Sequence, residues 1–202
     1  MTNILLDDAI WGLNKDVRLT NGIGYFGNDK RYEFDNKAYG VWYHILKKVK
    51  NDPDNNIICE EWKDYNKFLE WYDKNYYSVD GEKMELVKDF FDKDNKLYSP
   101  DTCIFVPYRI IRLLQGSKSN SNTKLPTGVG KKKNSDTYYS TCAIIKNGKK
   151  TTIRHSGFNT PEEAYKQYVK DRKKYIKDVS EAYRYDIPEK LYYAIINWEI
   201  ET

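Results

Sequence analysis

Between residues 116 and 155, nine lysine and arginine side chains stand against one acid, Asp136. Fixed positive charge at that density suits phosphate chemistry, since each side chain can neutralise a backbone phosphate and release its counterion. A second chemistry-bearing stretch is Asp92-Lys93-Asp94, followed by Tyr98-Ser-Pro-Asp-Thr-Cys-Ile-Phe-Val-Pro107. An unperturbed lysine, with a pKa of about 10.4, is almost fully protonated at neutral pH. Carboxylates on either side favour the charged form further, so Lys93 is a poor general base unless the fold separates them. His44, Cys59 and Cys103, with Asp101 as a fourth ligand, would suit zinc if the fold gathered them. No CxxC or HxxxH spacing supports that grouping, and buried small apolar cysteines are the plainer reading. His155, beside Arg154, reads as a phosphate contact or a surface residue.

Behind these residues stand 202 positions that are 40% hydrophobic and 15% aromatic, enough for one packed domain or two small ones. The net charge of +4 is unevenly spread. Residues 1–115 carry 17 basic against 20 acidic side chains, whereas residues 116–202 carry 17 against 10. That asymmetry points to a polyanionic partner for the second half. No apolar run is long enough for a membrane span, and the N-terminus lacks the basic start of a secretion signal. Three widely spaced cysteines suit a reducing compartment better than a disulfide framework. The expected setting is soluble and intracellular.

The elements that must position these groups follow from spacing. Gly22, Gly24 and Gly27 have dinucleotide-fingerprint spacing, but Asn28-Asp-Lys-Arg follows without helical apolar periodicity, so turns are expected. Ala38, Tyr39, Trp42, Tyr43, Leu46 and Val49 predict a helix closed by Asn51-Asp-Pro-Asp-Asn-Asn56. Trp62, Tyr65, Phe68, Leu69 and Tyr72 predict a second. A strand pair is expected around Phe90-Phe91 and Thr102–Val106, then a short helix carrying Ile110, Ile111, Leu113 and Leu114. Residues 116–126 have linker composition. Three strands follow, over Thr127–Lys133, Tyr138–Ile145 and Lys149–His155, with turns at Asn134-Ser-Asp136 and Asn147-Gly148. Thr160, Pro161 and Glu163 then spell a capping box opening an amphipathic helix that runs to Tyr183. A last short helix follows Pro188, with Leu191, Ile195 and Trp198 on one face.

Three strands leading to Phe158-Asn-Thr-Pro-Glu-Glu-Ala-Tyr165 resemble the AP2 DNA-binding domain over about residues 126–180. In that family the sheet, not the helix, enters the major groove. The resemblance implies nucleic-acid contacts from Lys131 and Lys133 on the first strand, Tyr139 on the second, and Lys150 and Arg154 on the third. Lys132 and Lys149 belong to the same basic runs. Ser156 stands where the family has glycine, so the third strand's exit differs. The first half, through Tyr39-Gly-Val-Trp42, Cys59-Glu-Glu-Trp62, Phe68-Leu-Glu-Trp71 and Asp92-Lys-Asp94, resembles phage-encoded HNH/AP2 homing-endonuclease-like proteins. In the ββα-metal site of that family an aspartate holds a divalent metal, a histidine activates water, and a helix residue completes the metal site. The likeness implies Asp92 as metal ligand, Lys93 in the place of the base, Asp94 beside them, and Ile111 at the closing ligand position. Isoleucine offers a metal no electron pair.

The expected architecture is therefore α+β in two parts: a helix-rich HNH-like (ββα) domain over 1–115, a linker over 116–126, and an AP2-like sheet-and-helix domain over 127–202. The leading functional expectation is a phage-type protein that binds double-stranded DNA, derived from a homing endonuclease, with cleavage lost or weakened. One alternative is an active divergent endonuclease using Mg2+ at Asp92. Another is a phage protein that binds and inhibits a host nuclease or other nucleic-acid-handling defence protein, in the cytoplasm of an infected bacterial cell.

Overall fold

Apolar residues three and four apart fold Asn36–Asn51 into helix α1, which buries Ala38, Trp42, Ile45 and Leu46. It closes where expected, with the Asn55 and Asn56 side chains bonding to Asp52. The chain is described by a computed structural model over residues 19–27, 36–115, 125–146 and 148–200. It divides into two compact units, one up to Tyr77 together with Glu85–Phe105, the other Ser78–Met84 together with Val106 onward. Short helix α3 (Tyr108–Gln115) thus falls in the second unit.

In the first unit the helix expected from Trp62 to Tyr72 is interrupted. Glu61–Lys63 form one 3-10 turn, Asp64 is extended with ψ 118°, and helix α2 runs over Tyr65–Asn75. The cause is the Asp64 carboxylate, which accepts the backbone N–H of Asn66 at 2.9 Å as an N-cap and that of Gly27 at 3.1 Å. Trp62 stays buried on the near side of the break, and its carbonyl accepts the Trp42 indole N–H at 2.7 Å. The glycine-rich segment is packed against this joint. Tyr25 N–H donates to Lys63, and Tyr65 N–H donates back to Tyr25. A side chain on Gly24 would lie 2.4 Å from the Trp42 ring, and one on Gly27 would meet the Asp64 carboxylate. Close packing accounts for Gly24 and Gly27, while Gly22 serves a turn at φ +76°; Asn28-Asp-Lys-Arg lies outside the described residues.

The strand expected at Phe90-Phe91 is displaced. Strands β1 (Ile57–Ile58) and β3 (Leu97–Tyr98) pair in parallel, and β2 (Met84–Val87) pairs with β4 (Ile104–Pro107). Residues 88–95 leave the ladder because side chains take their main-chain groups: Asn95 Nδ2 donates to the carbonyls of Lys88 and Leu97, and Lys88 Nζ donates to that of Asn95. Phe90 is still buried, but from a bend.

The second unit holds the expected three-stranded antiparallel sheet, β5 (Val129–Lys131), β6 (Tyr138–Lys146) and β7 (Lys149–Phe158), in the order β5-β6-β7. The first strand is shorter than its sequence suggests because Lys132 N–H already closes the turn onto Thr137. The third is longer, with a register shift opposite Tyr138/Tyr139 and Gly157 at φ +95°. Helix α4 (Pro161–Ala182) opens with the full capping box and buries Ala164, Tyr168, Ile176 and Ser180. Helix α5 (Glu189–Ile196) buries Leu191 and Ile195, and Tyr192 donates to Glu181 at 2.8 Å. The Arg172 guanidinium donates to the Leu113 carbonyl, tying α4 to α3. Tyr183 hydroxyl donates to Glu82 at 2.6 Å. Of the expected linker, residues 116–124 lie outside the described residues, as does Asn147 of the hairpin turn.

Replacing Thr160 by alanine removes one half of the capping box and is expected to cost about 1 kcal/mol in urea unfolding, with Thr160→Ser retaining most of the stability. A second expectation concerns alkaline pH. Burial pushes Tyr98 up to about 12, and burial followed by the bond to Glu82 pushes Tyr183 up to about 12. Both folded values lie above the ordinary 10.0, so the stabilisation is complete below pH 10 and is lost as pH rises towards about 12. The urea midpoint should fall between pH 9.5 and 11.5, and Tyr183→Phe should shrink that fall; an unchanged pH profile in the variant would remove Tyr183 from the account.

Candidate nucleic-acid interface

Strand residues alternate between the two faces of a sheet, so the β6–β7 register sorts every side chain. Ser140 and Cys142, both essentially fully buried, pair with His155 and Ile153 and face α4. Their neighbours Tyr139, Thr141, Ala143 and Ile145 pair with Ser156, Arg154, Thr152 and Lys150 and point the other way. Gly130, opposite Tyr139 on β5, extends that outer face.

At its centre the outer face is ordered. The Tyr139 ring lies across Gly130, where a Cβ would come within 2.2 Å of its Cζ. The guanidinium carbon of Arg154 sits 3.9 Å from the centroid of the same ring. Tyr139 is therefore flanked by the bare backbone of one strand and the cation of another, an arrangement that needs glycine at 130 and holds Arg154 in place.

The expected site residues divide accordingly. Tyr139, Lys150 and Arg154 share the outer face. Lys149 and Lys131 fall in the other alternation set, Lys149 exposed opposite Lys146 and Lys131 at the end of β5 beside Tyr138. Lys131 is 3.1 Å from Asp136, whose hydrogen bond and charge hold the lysine pKa above its ordinary value; both groups are exposed, so the pair adds little stability. Lys132 and Lys133 follow β5 in the turn and are exposed. His155 turns towards the helix, its Nε2 3.2 Å from Asp171 of α4, which takes it off the outer face. Thr152 of β7, two residues from both Lys150 and Arg154, shares the outer face with them, an even spacing that the sequence carries.

In the first unit Asp92, Lys93 and Asp94 occupy an exposed turn rather than a strand end. Asp92 Oδ1 accepts Asp94 N–H at 3.1 Å, and the Asp92 carbonyl accepts Asn95 N–H at 3.1 Å. Among the described residues no three His, Cys, Asp or Glu side chains are gathered as metal ligands. Of the positions that the nuclease likeness assigns to a metal site, Asp92 keeps a carboxylate and Ile111 has no donor atom. The zinc grouping likewise does not assemble: His44 is exposed on α1, and Cys103 is buried, its thiol pushed up to about 12 by that burial. Ile111 lies on α3.

No protein-family model matches this chain, and no curated protein or solved structure matches it.

A double-mutant cycle with Tyr139→Leu and Arg154→Ala should give a coupling energy of about 0.5–1 kcal/mol, the worth of an exposed cation–π contact. Tyr139→Phe should preserve it; additive single effects would mean that the ring does not hold the guanidinium.

Proposed function

We propose that this protein binds double-stranded DNA through the outer face of its β5–β6–β7 sheet. The observation that carries the reading is the Tyr139–Arg154 stack over Gly130 on a face that also presents Lys150 and Thr152 and is opposite the face buried by α4. A fixed guanidinium offers a rigid fork of donors to a base edge or phosphate, while the lysine adds a point charge to the backbone. The use of Tyr139 argues for duplex over single strand. Single-strand binders need an aromatic face open for stacking with a base, and here Arg154 stands over the ring.

The likeness of residues 126–180 to AP2 domains supports the same surface. The resemblance of the first half to HNH/AP2 homing-endonuclease-like proteins gives the reading its second part, a phage-type binder whose cleavage is lost or weakened. In its support, Asp92 spends one carboxylate oxygen on its own turn, and Ile111 has no donor atom.

Labelled duplex titrated with the whole protein should bind with an affinity that falls steeply with salt. Lys150→Gln with Arg154→Gln should lower the slope of log K against log salt by about 2, since each phosphate contact contributes roughly 0.9. Equal affinity and equal slope in this variant and the wild type would overturn the reading. Incubation of plasmid duplex with Mg2+ should give no cleavage that Asp92→Ala abolishes.

A further inference from the structure

Helix α4 carries a second concentration of charge that the sheet does not use. Lys166, Lys170, Lys173 and Lys177 are all exposed, and none is in an ion pair among the described residues. At about 100° per residue they fall within about 60° of one another around the axis, on the side opposite Ala164 and Tyr168. From Lys166 to Lys177 the stripe runs about 16 Å, at about 1.5 Å per residue. The acids of α4 are committed elsewhere. Glu163 serves the capping box, Asp171 faces His155, Asp178 pairs with Lys174 at 2.6 Å, and Glu181 accepts the Tyr192 hydroxyl. Glu162 lies in the first turn, before the stripe begins.

We propose that these four lysines form a second, sequence-independent contact for the phosphate backbone of duplex DNA. A length of about 16 Å spans about five phosphates of one strand at about 3.4 Å each, a match in both charge and reach. Lysine, a compact charge on a flexible stem, suits backbone contact without base readout. A bilayer is the poorer occupant, because the apolar side of α4 lies under the sheet and leaves no face to insert. A protein partner is poorer too, for the stripe holds no tryptophan, tyrosine or arginine to anchor an interface. The stripe and the outer sheet face lie on opposite sides of the same two layers. One molecule therefore holds two duplex segments, a consequence that rests on the sheet reading above, whereas the stripe's own contact does not.

The test is capture of a second duplex. Whole protein is loaded on an immobilised duplex, and a labelled duplex of unrelated sequence is added. Wild type should retain the second duplex. Lys166, Lys170, Lys173 and Lys177 changed together to glutamine, which keeps helix propensity, should still load on the first duplex but lose the second. The same four changed to arginine should restore capture. The salt slope of total binding should fall by about 3 to 4 in the glutamine variant. Undiminished capture by that variant would overturn the proposal. So would sedimentation of wild type with phosphatidylserine vesicles that the four glutamines abolish while duplex capture stays intact. If the glutamine variant loses all duplex binding and Lys150→Gln/Arg154→Gln loses none, the stripe is supported and the sheet reading fails.

Discussion

Tyr168 of α4 lies where a side chain on Gly128 would stand, and behind it Ser140 and Cys142 of β6 are sealed against the helix. This burial is the constraint on which the second unit depends. With a period of two, fixing Ser140 and Cys142 inward fixes Tyr139 and Thr141 outward, and the β7 register then carries Arg154, Thr152 and Lys150 to the same side. A slip of β6 by one residue would expose Cys142 and turn Tyr139 and Thr141 inward. Burial of Ser140 and Cys142 against α4 decides that choice more strongly than any local preference for strand.

The inner side of this layer also explains two residues whose types suggested phosphate contact. His155 and Lys131 fall in the inward set, and each has a carboxylate within reach, Asp171 and Asp136. Arg154, in the outward set, has instead an aromatic ring that orders it without neutralising its charge. Lys131 and His155 thus meet carboxylates, whereas Arg154 meets a ring. On the far side of α4 the same logic holds, with the acids of the helix drawn into caps, turns and neighbouring elements while the lysine stripe keeps its charge.

The first unit is organised around Asp64. One carboxylate caps α2, anchors the Gly27 amide, and so fixes the glycine-rich segment against Trp42 and Leu46. Around it Phe26, Tyr39, Trp42 and Tyr65 meet at ring separations of 5.2–6.1 Å, the spacing of offset and edge-to-face aromatic packing. The Asp92–Asp94 turn is likewise built from local hydrogen bonds, closed by Asn95 and Lys88. One of its carboxylates, that of Asp92, accepts a hydrogen bond within the turn itself.

What the sequence determined by itself is the local grammar. Helical apolar spacing placed α1, α4 and α5, and Thr160-Pro-Glu-Glu163 announced the cap of α4, because periodicity and capping act between residues close along the chain. It also located the basic segment, since charge is a property of composition. It did not show that Asp64 would break the helix expected from Trp62, because half of that carboxylate's role is Gly27, 37 residues away. Nor did it show that strand β2 would lie at Met84–Val87 instead of Phe90-Phe91, a choice made when Asn95 took the Lys88 carbonyl. Tertiary structure alone decided which lysines share a face with Arg154, which fall on the other, and that Tyr139 would lie over Gly130. Those outcomes depend on strand register and on which face the helix covers, and both are set by long-range burial.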